Sequence, residues 1–413
     1  MKASQERSKE VIGADGDAPQ VLSLIPQAHV REIRLDEASS ASLDGWRECN
    51  SRYHDHSIDS DPDWIQERFK QQKENVRIYF LERDSQVIGA VPFMLSREPL
   101  LCWLGPSIVA KLPLRTLKLM GYPLDMPAEL SLYDMLMEQV LQSEFDAIEL
   151  NHVKTESFLW NYLHTSPLIQ KYFYFYTDSK LLPHPSIRIS GSFESYTRER
   201  FSPKVRKNRF REIKRLRALG DVQCVRVTKT SEIDAFLETA WEIAKETWQF
   251  SRYGWGLRGR DFAAVRSEIK FLAEHGWLRS YLLKCGGAPC SFIVGQQYSR
   301  TFSIAAAGVH PTWRRYSAGT VLFMFVLEDL FRENSPHFYD LDSYKEYKQH
   351  FANDSYLEAE SVWLFRRRAY PLLASKILRI IDATSKKAGV VLDLFQLKSS
   401  VKRLLMRRLR KLP

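Results

Sequence analysis

Between His310 and Phe351 the chain sets proton-moving side chains beside a stretch of backbone suited to holding an anion. Ser317-Ala318-Gly319 follows a strand-like run of small and β-branched residues, Ser303 to Val309. It precedes an apolar run in which Leu322, Phe325, Val326 and Leu330 fall near helical spacing. A small-residue turn opening a helix leaves backbone N–H groups without intrahelical acceptors at the positive end of the helix dipole, so phosphate is the natural ligand there. Downstream, Phe338-Tyr-Asp-Leu-Asp-Ser343 reads as the next strand. Two residues apart in an extended strand, Asp340 and Asp342 point to one face. Paired carboxylates raise at least one pKa toward the range of a general base, and Asp342 is the first candidate, with Asp340 and His310 behind it. Tyr344, Tyr347 and Lys348 are candidate acids or groups that orient an acceptor.

The segment Arg314-Arg315-Tyr316-Ser317-Ala318-Gly319-Thr320 resembles the pyrophosphate loop of the GNAT N-acyltransferases. That pattern is Arg or Gln, two residues, Gly, one residue, Gly or Ala; Ser317 stands where the first Gly belongs. Together with the Asp-bearing strand and Tyr347-Lys-Gln-His-Phe351, the stretch is similar to the CelD-like branch. That branch is linked to cellulose and exopolysaccharide gene sets and related to the Fem-type aminoacyltransferases. The resemblance spans most of residues 30–365. It implies an α/β fold of tandem GNAT-like domains, each a mixed sheet flanked by helices. It further implies acetyl-CoA or another acyl-CoA as donor, held at Arg314–Thr320, with β-bulge N–H groups facing the thioester carbonyl. The acceptor would be the amine of an amino sugar or another cell-envelope or exopolysaccharide precursor. Two alternatives stay open: a Fem-like transferase taking its donor group from aminoacyl-tRNA, and a non-catalytic GNAT-fold scaffold recruiting a membrane synthase. A Gly-x-Ser-x-Gly nucleophile motif is absent from the sequence.

The elements that must carry these residues repeat. Arg77–Phe93 is a hairpin about a polar Asp-Ser turn, and Arg279–Val294 repeats the design about Gly286-Gly287. Each half then has a helix leading into a strand: Glu129–Leu141 into Phe145–Leu150, and the helix from Gly319 into the strand at Phe338. The halves differ at the turn, because Met120–Ala128 carries two prolines and no small-residue cradle. The first half is therefore expected to be a scaffold and acceptor wall. The expected domains are a degenerate GNAT-like unit over 28–182 and an acyltransferase unit over 183–365, joined near Leu181–Ser186. A disordered lead-in over 1–27 precedes them, and a basic amphipathic helical tail over 366–413 follows. Residues 198–217 hold ten basic and two acidic residues on a helix whose thin apolar seam is Val205, Phe210, Ile213 and Leu216. This is either a solvated face or a wall for a cofactor phosphate, an anionic substrate or RNA. The aromatic, Gly-rich loop Phe250–Arg260 is, by the resemblance, an acceptor lid. The His/Asp-rich stretch Tyr53–Trp64 has no ligand-pair spacing; Asp61-Pro62 instead reads as an N-cap with proline at N1, and no metal is expected.

The net charge of +10 is concentrated in the tail, where residues 366–413 carry 14 basic and two acidic residues, a net of +12 that leaves −2 for the rest. Leu397, Val401, Leu404, Leu405 and Leu409 line one helical face with Lys and Arg off it, which suits an anionic membrane surface, with a partner helix or nucleic acid as alternatives. Five scattered cysteines point to free thiols, and the polar N-terminus offers no signal-peptide core. The expectation is a cytoplasmic protein, peripheral at the inner face of the membrane.

Overall fold

The computed structural model describes residues 28–53, 57–104, 107–122, 124–177, 181–247, 262–342 and 345–394. In chain order the elements begin with β1 (His29–Arg34), α1 (Ser40–Arg52), α2 (Pro62–Arg68), β2 (Val76–Arg83), β3 (Gln86–Ser96), β4 (Leu100–Leu104), β5 (Ser107–Leu112) and β6 (Thr116–Leu119). There follow α3 (Leu130–Gln142), β7 (Ala147–Lys154), α4 (Phe158–Thr165), α5 (Pro167–Tyr172), β8 (Phe173–Thr177) and β9 (Leu181–Arg188). Next come α6 (Phe193–Arg200), α7 (Pro203–Arg217), β10 (Val222–Val227), α8 (Ile233–Lys245), α9 (Phe262–Glu274), β11 (Ser280–Cys285), β12 (Ala288–Tyr298) and β13 (Thr301–Val309). The chain closes with α10 (Ala318–Glu333), β14 (Phe338–Asp340), α11 (Glu346–Gln349), β15 (Asp354–Arg366) and α12 (Ala369–Leu394).

One 13-stranded sheet runs through the molecule in the order β1-β2-β3-β6-β7-β15-β9-β14-β13-β12-β11-β10, with β8 also on β15. The order is nearly a palindrome. Outward from the centre, β7-β6-β3-β2-β1 on one side answers β14-β13-β12-β11-β10 on the other, and each side has one parallel pair, β6 with β7 and β13 with β14. Between them lie two antiparallel strands that have crossed over. β15, from the end of the chain, pairs with β7 of the first half, while β9 pairs with β14 of the second. The two sheets are thereby fused.

Local sequence explains most elements. Asp84-Ser85 and Gly286-Gly287 both adopt the left-handed backbone that a two-residue hairpin turn demands. Asp61 caps α2, accepting from the N–H groups of Asp63 and Trp64, with Pro62 in the first turn. In α8 the buried Ile233, Phe236, Leu237, Ala240, Ile243 and Ala244 form the face laid on β12 and β13.

Three expectations are corrected. The supposed junction Leu181–Ser186 is strand β9 at the centre of the sheet; its prolines are tolerated because β14 covers that edge only from Ser186 onward. The seam of α7 is only half used, since Leu216 is buried and Ile213 half-buried, while Val205 and Phe210 are exposed. The stretch from 366 is not a detached tail. Arg366 ends β15, and α12 buries Ala374 and Leu378 against Trp363, Phe365, Cys102 and Leu114. The amphipathic segment Leu397–Leu409 and the loop Phe250–Arg260 lie outside the described residues. All five cysteines are free. Among the described residues no helix is long and apolar enough to cross a membrane.

Candidate functional site

The first part of the site is a groove beside β13. This strand stays paired with β12 along Thr301–Val309, but β14 accompanies it only where Thr301–Ser303 meets Phe338–Asp340. Beyond that point the two strands part, and the β13 edge from Ile304 to Val309 has no strand partner among the described residues. The register of β13 on β12 slips between the pairs Val294–Ala306 and Gly295–Ile304, which leaves Ala305 as the extra residue of a bulge. Bulge, small side chains and open edge together leave room for a ligand carbonyl to reach backbone donors.

At the end of β13, the turn Pro311–Tyr316 leads into α10. Ser317 takes the left-handed conformation (φ 57°) and its hydroxyl makes no capping bond. The N–H groups of Ala318, Gly319 and Thr320 therefore stand at the helix start without acceptors among the described residues. A Cβ on Gly319 would lie 2.6 Å from Val309 Cγ2, so glycine is what lets the helix start press against the strand. Arg314 and Arg315 are exposed on this turn, and the Arg315 guanidinium lies 4.8 Å from the Tyr316 ring centroid. The basic helix α7 packs against both α10 and the turn and exposes Lys204, Lys207, Arg211, Lys214 and Arg215. An anion at the helix start would sit in a cationic field.

The second part is a cleft of about 1890 Å³ between the halves, walled by β3, β7, β15, α2 and α9. Asp340 and Asp342 line it as well, so the segment where β14 leaves β13 borders both groove and cleft. Acidic side chains outnumber basic ones on its wall, with Glu74, Glu149, Glu268, Asp342 and Glu360 among them. A cationic amine is favoured there.

Sequence-based expectations for the carboxylates change in detail. β14 ends at Asp340, and Asp342 is in the left-handed region (φ 62°), so the two do not share a strand face. Instead the Asp342 N–H donates to Asp340 Oδ1 at 2.6 Å. Burial works against the Asp340 carboxylate, but His184 outweighs it and lowers its pKa. Asp342 is largely exposed in the cleft, with its Oδ2 4.0 Å from Lys348 Nζ. Burial lowers the pKa of Lys348, with Asp342 and Asp340 opposing. Tyr347 is exposed on α11, His310 Nδ1 accepts the Thr312 N–H as a cap of the turn, and Tyr344 lies outside the described residues.

Sequence reasoning missed the densest cluster. His152 on β7, His184 on β9 and Glu358 on β15 converge so that one ligand atom from each lies within 4.8 Å of the others. His152 Nδ1 is 3.1 Å from Glu358 Oε1, and His184 Nε2 is 2.6 Å from Asp340 Oδ1. Tyr356 stacks on the His184 ring at 4.8 Å between centroids. Burial opposes charge on His184, but Asp340 and Glu358 outweigh it and raise its pKa to about 9. Burial likewise opposes the Glu358 carboxylate, yet the two histidines bring it down to about 2. The one local signal was a histidine set between two prolines, Pro183 and Pro185, in a strand-like run.

Residues 203–349 match the family model described as an acetyltransferase (GNAT) domain. That matched region, in the second half of the chain, contains the groove, the bulge and the helix start. The fold is similar to that of a crystal structure titled FemX, at 12% identity and a TM-score of 0.56, covering 84% of this chain and 100% of that one. Looser likenesses are a tandem GNAT protein from the clavulanic acid biosynthesis pathway (10% identity, TM-score 0.44, 83% of this chain and 99% of that one) and L-PGS from Bacillus licheniformis (11%, 0.46, 76% and 90%). No curated protein matches the sequence. The architecture is a mixed α/β, tandem GNAT-like fold.

Proposed function

We propose that the chain is an N-acyltransferase using acetyl-CoA or another acyl-CoA. Its donor lies in the groove between β13 and β14, and its acceptor amine enters from the acidic cleft. The observation that carries this reading is the uncapped start of α10 directly above the bulged, unpaired edge of β13. The pyrophosphate would take the N–H groups of Ala318–Thr320, with Arg314 and Arg315 beside it. The thioester carbonyl would take N–H groups near Ala305, which stabilise the oxyanion as the amine attacks. Asp342, at the mouth shared by groove and cleft, accepts the amine proton, and Lys348 stands next to it to donate toward the departing thiolate.

The cleft volume exceeds the roughly 300–1,000 Å³ of sites for small ligands, which supports a larger acceptor such as an amine-bearing glycan or envelope precursor, in keeping with the CelD-like resemblance. Attachment to an anionic membrane is supported by an apolar surface beside the basic C-terminal stretch. The β4–β5 hairpin exposes Trp103, Ile108 and Val109, and the neighbouring α12 exposes Leu373 and Ile380. The site would then work at a cytoplasmic membrane face.

Calorimetry with acetyl-CoA and longer acyl-CoAs, followed by mass spectrometry of amino-sugar acceptors, tests the reading. Stoichiometric acyl-CoA binding and an acylated amine are expected. A second reading is aminoacyl-tRNA as donor, favoured by the cationic face of α7 and the exposed Phe210 among its charges, a stacking platform for a base. Absence of acyl-CoA binding together with binding of charged tRNA overturns the first reading in favour of the second.

A further inference from the structure

We propose that His152, His184 and Glu358 form a binding site for one divalent transition-metal ion, with zinc the best-fitting ion. Two imidazoles and one carboxylate are a donor set that zinc takes with a fourth position open. The ligands are rigidly presented, because β15 lies between β7 and β9 and Glu358 is paired with Lys154 on one side and Leu182 on the other.

The alignment of the buried atoms is the sharper observation. His184 Nδ1 lies 3.0 Å from Glu358 Oε2, yet the pair is misaligned for a hydrogen bond, and neither atom has another hydrogen-bond partner among the described residues. Both side chains are more than nine-tenths buried. Buried atoms of this kind cost free energy unless something satisfies both. A cation held between them would satisfy both atoms. Donor atoms of a tetrahedral zinc site stand about 3.3 Å apart, given bonds of about 2.0–2.1 Å. The Glu358 Oε2–His184 Nδ1 and Glu358 Oε1–His152 Nδ1 separations, 3.0 and 3.1 Å, are each near that value, one to each carboxylate oxygen. His152 has the freedom to close the remaining span, since its side chain is 40% exposed.

The surroundings complete the pattern. Metal-bound histidines generally donate their other ring N–H to a carboxylate, which fixes the tautomer. Asp340 Oδ1, 2.6 Å from His184 Nε2, is placed for that role, and Tyr356 fixes the ring plane by stacking. His152 and His184 line the cleft, so an oxygen or nitrogen donor of a cleft ligand can complete the coordination shell. Nothing in this inference depends on the identity of the acyl donor.

The test uses the full-length chain, treated with a chelator and then titrated with Co²⁺ alone, with visible absorption as the readout and Zn²⁺ as competitor. One equivalent of Co²⁺ with ligand-field bands, displaced by one equivalent of Zn²⁺, is expected. His152→Asn, at the half-exposed ligand and so compatible with folding, should weaken binding at least a hundredfold, as should Glu358→Gln. Asp340→Asn removes a positioning residue, so stoichiometry should hold while affinity falls roughly 10- to 100-fold. Absence of stoichiometric binding to the wild-type chain, or binding unchanged in both folded ligand variants, overturns the site and leaves a plain ion-pair cluster.

Discussion

Thr320→Glu is the most informative perturbation of the donor groove. Thr320 is the third residue of α10, and its N–H is one of three at the helix start without an acceptor. A carboxylate there suits the helix dipole and should leave stability unchanged or raise it by about 0.3–1 kcal/mol. The same carboxylate would face the two phosphate charges of a bound pyrophosphate. A pair of unit charges 4 Å apart repels by ~1 kcal/mol in water and ~4 kcal/mol at an effective dielectric of 20. The half-exposed position of Thr320 lies between those limits. A loss of about 2–3 kcal/mol is therefore expected, roughly a 30- to 150-fold rise in the acetyl-CoA Kd. Isothermal calorimetry measures it, with Thr320→Gln as the neutral control of equal size, which should change Kd less than threefold. Position 319 is a poorer choice, since any side chain there meets Val309 at 2.6 Å and mixes packing with charge. A folded Thr320→Glu protein with wild-type affinity would falsify the cradle assignment. An equal loss in both variants would make the effect steric.

Three further outcomes are expected. Asp342→Asn should lower turnover on the order of a hundredfold while acetyl-CoA affinity stays within about twofold; wild-type turnover would remove Asp342 from the chemistry. Burial, with Asp61 adding and Ser60 opposing, raises the pKa of Asp125 from 3.8 to about 7, and its Oδ1 has no hydrogen-bond partner among the described residues. The folded state then holds that proton more tightly, so this contribution is complete below pH 3.8 and lost as pH rises through 7. Asp125→Asn should accordingly stabilise the protein at pH 8 by up to roughly 4 kcal/mol, at 1.36 kcal/mol per pH unit, and little at pH 4; urea denaturation at the two pH values decides it. Deleting 395–413 should leave the melting temperature unchanged and abolish sedimentation with anionic vesicles. Deleting from 366 should instead destabilise the fold, because α12 covers Trp363 and Phe365; equal melting temperatures for the two truncations would contradict that packing.

Features set by residues close in sequence were legible before the fold was known. The Asp84-Ser85 and Gly286-Gly287 turns, the Asp61 cap and the small-residue helix start at Ser317–Gly319 each follow from steric or hydrogen-bonding demands satisfied within a few residues. That is why the repeated halves and the small-residue helix start could be read directly, with Ser317 in the left-handed conformation at that turn.

What only the tertiary structure decided involves residues brought together from far apart. The placement of β9 and β15 at the centre of the sheet is a matter of strand pairing between residues more than a third of the chain length apart, which no local pattern encodes. It makes Leu181–Ser186, where the junction was expected, part of a central strand. The same pairing places Glu358 between His152 and His184 and gives Asp340 a histidine partner, which lowers its pKa against the effect of burial. Periodicity reports which face of an element is apolar but not whether a neighbour covers it, so Phe210 remained exposed on α7 while α12, read as a basic tail, was drawn onto the core. Local geometry wrote the helix start into the sequence; long-range pairing made the cleft and its histidine cluster.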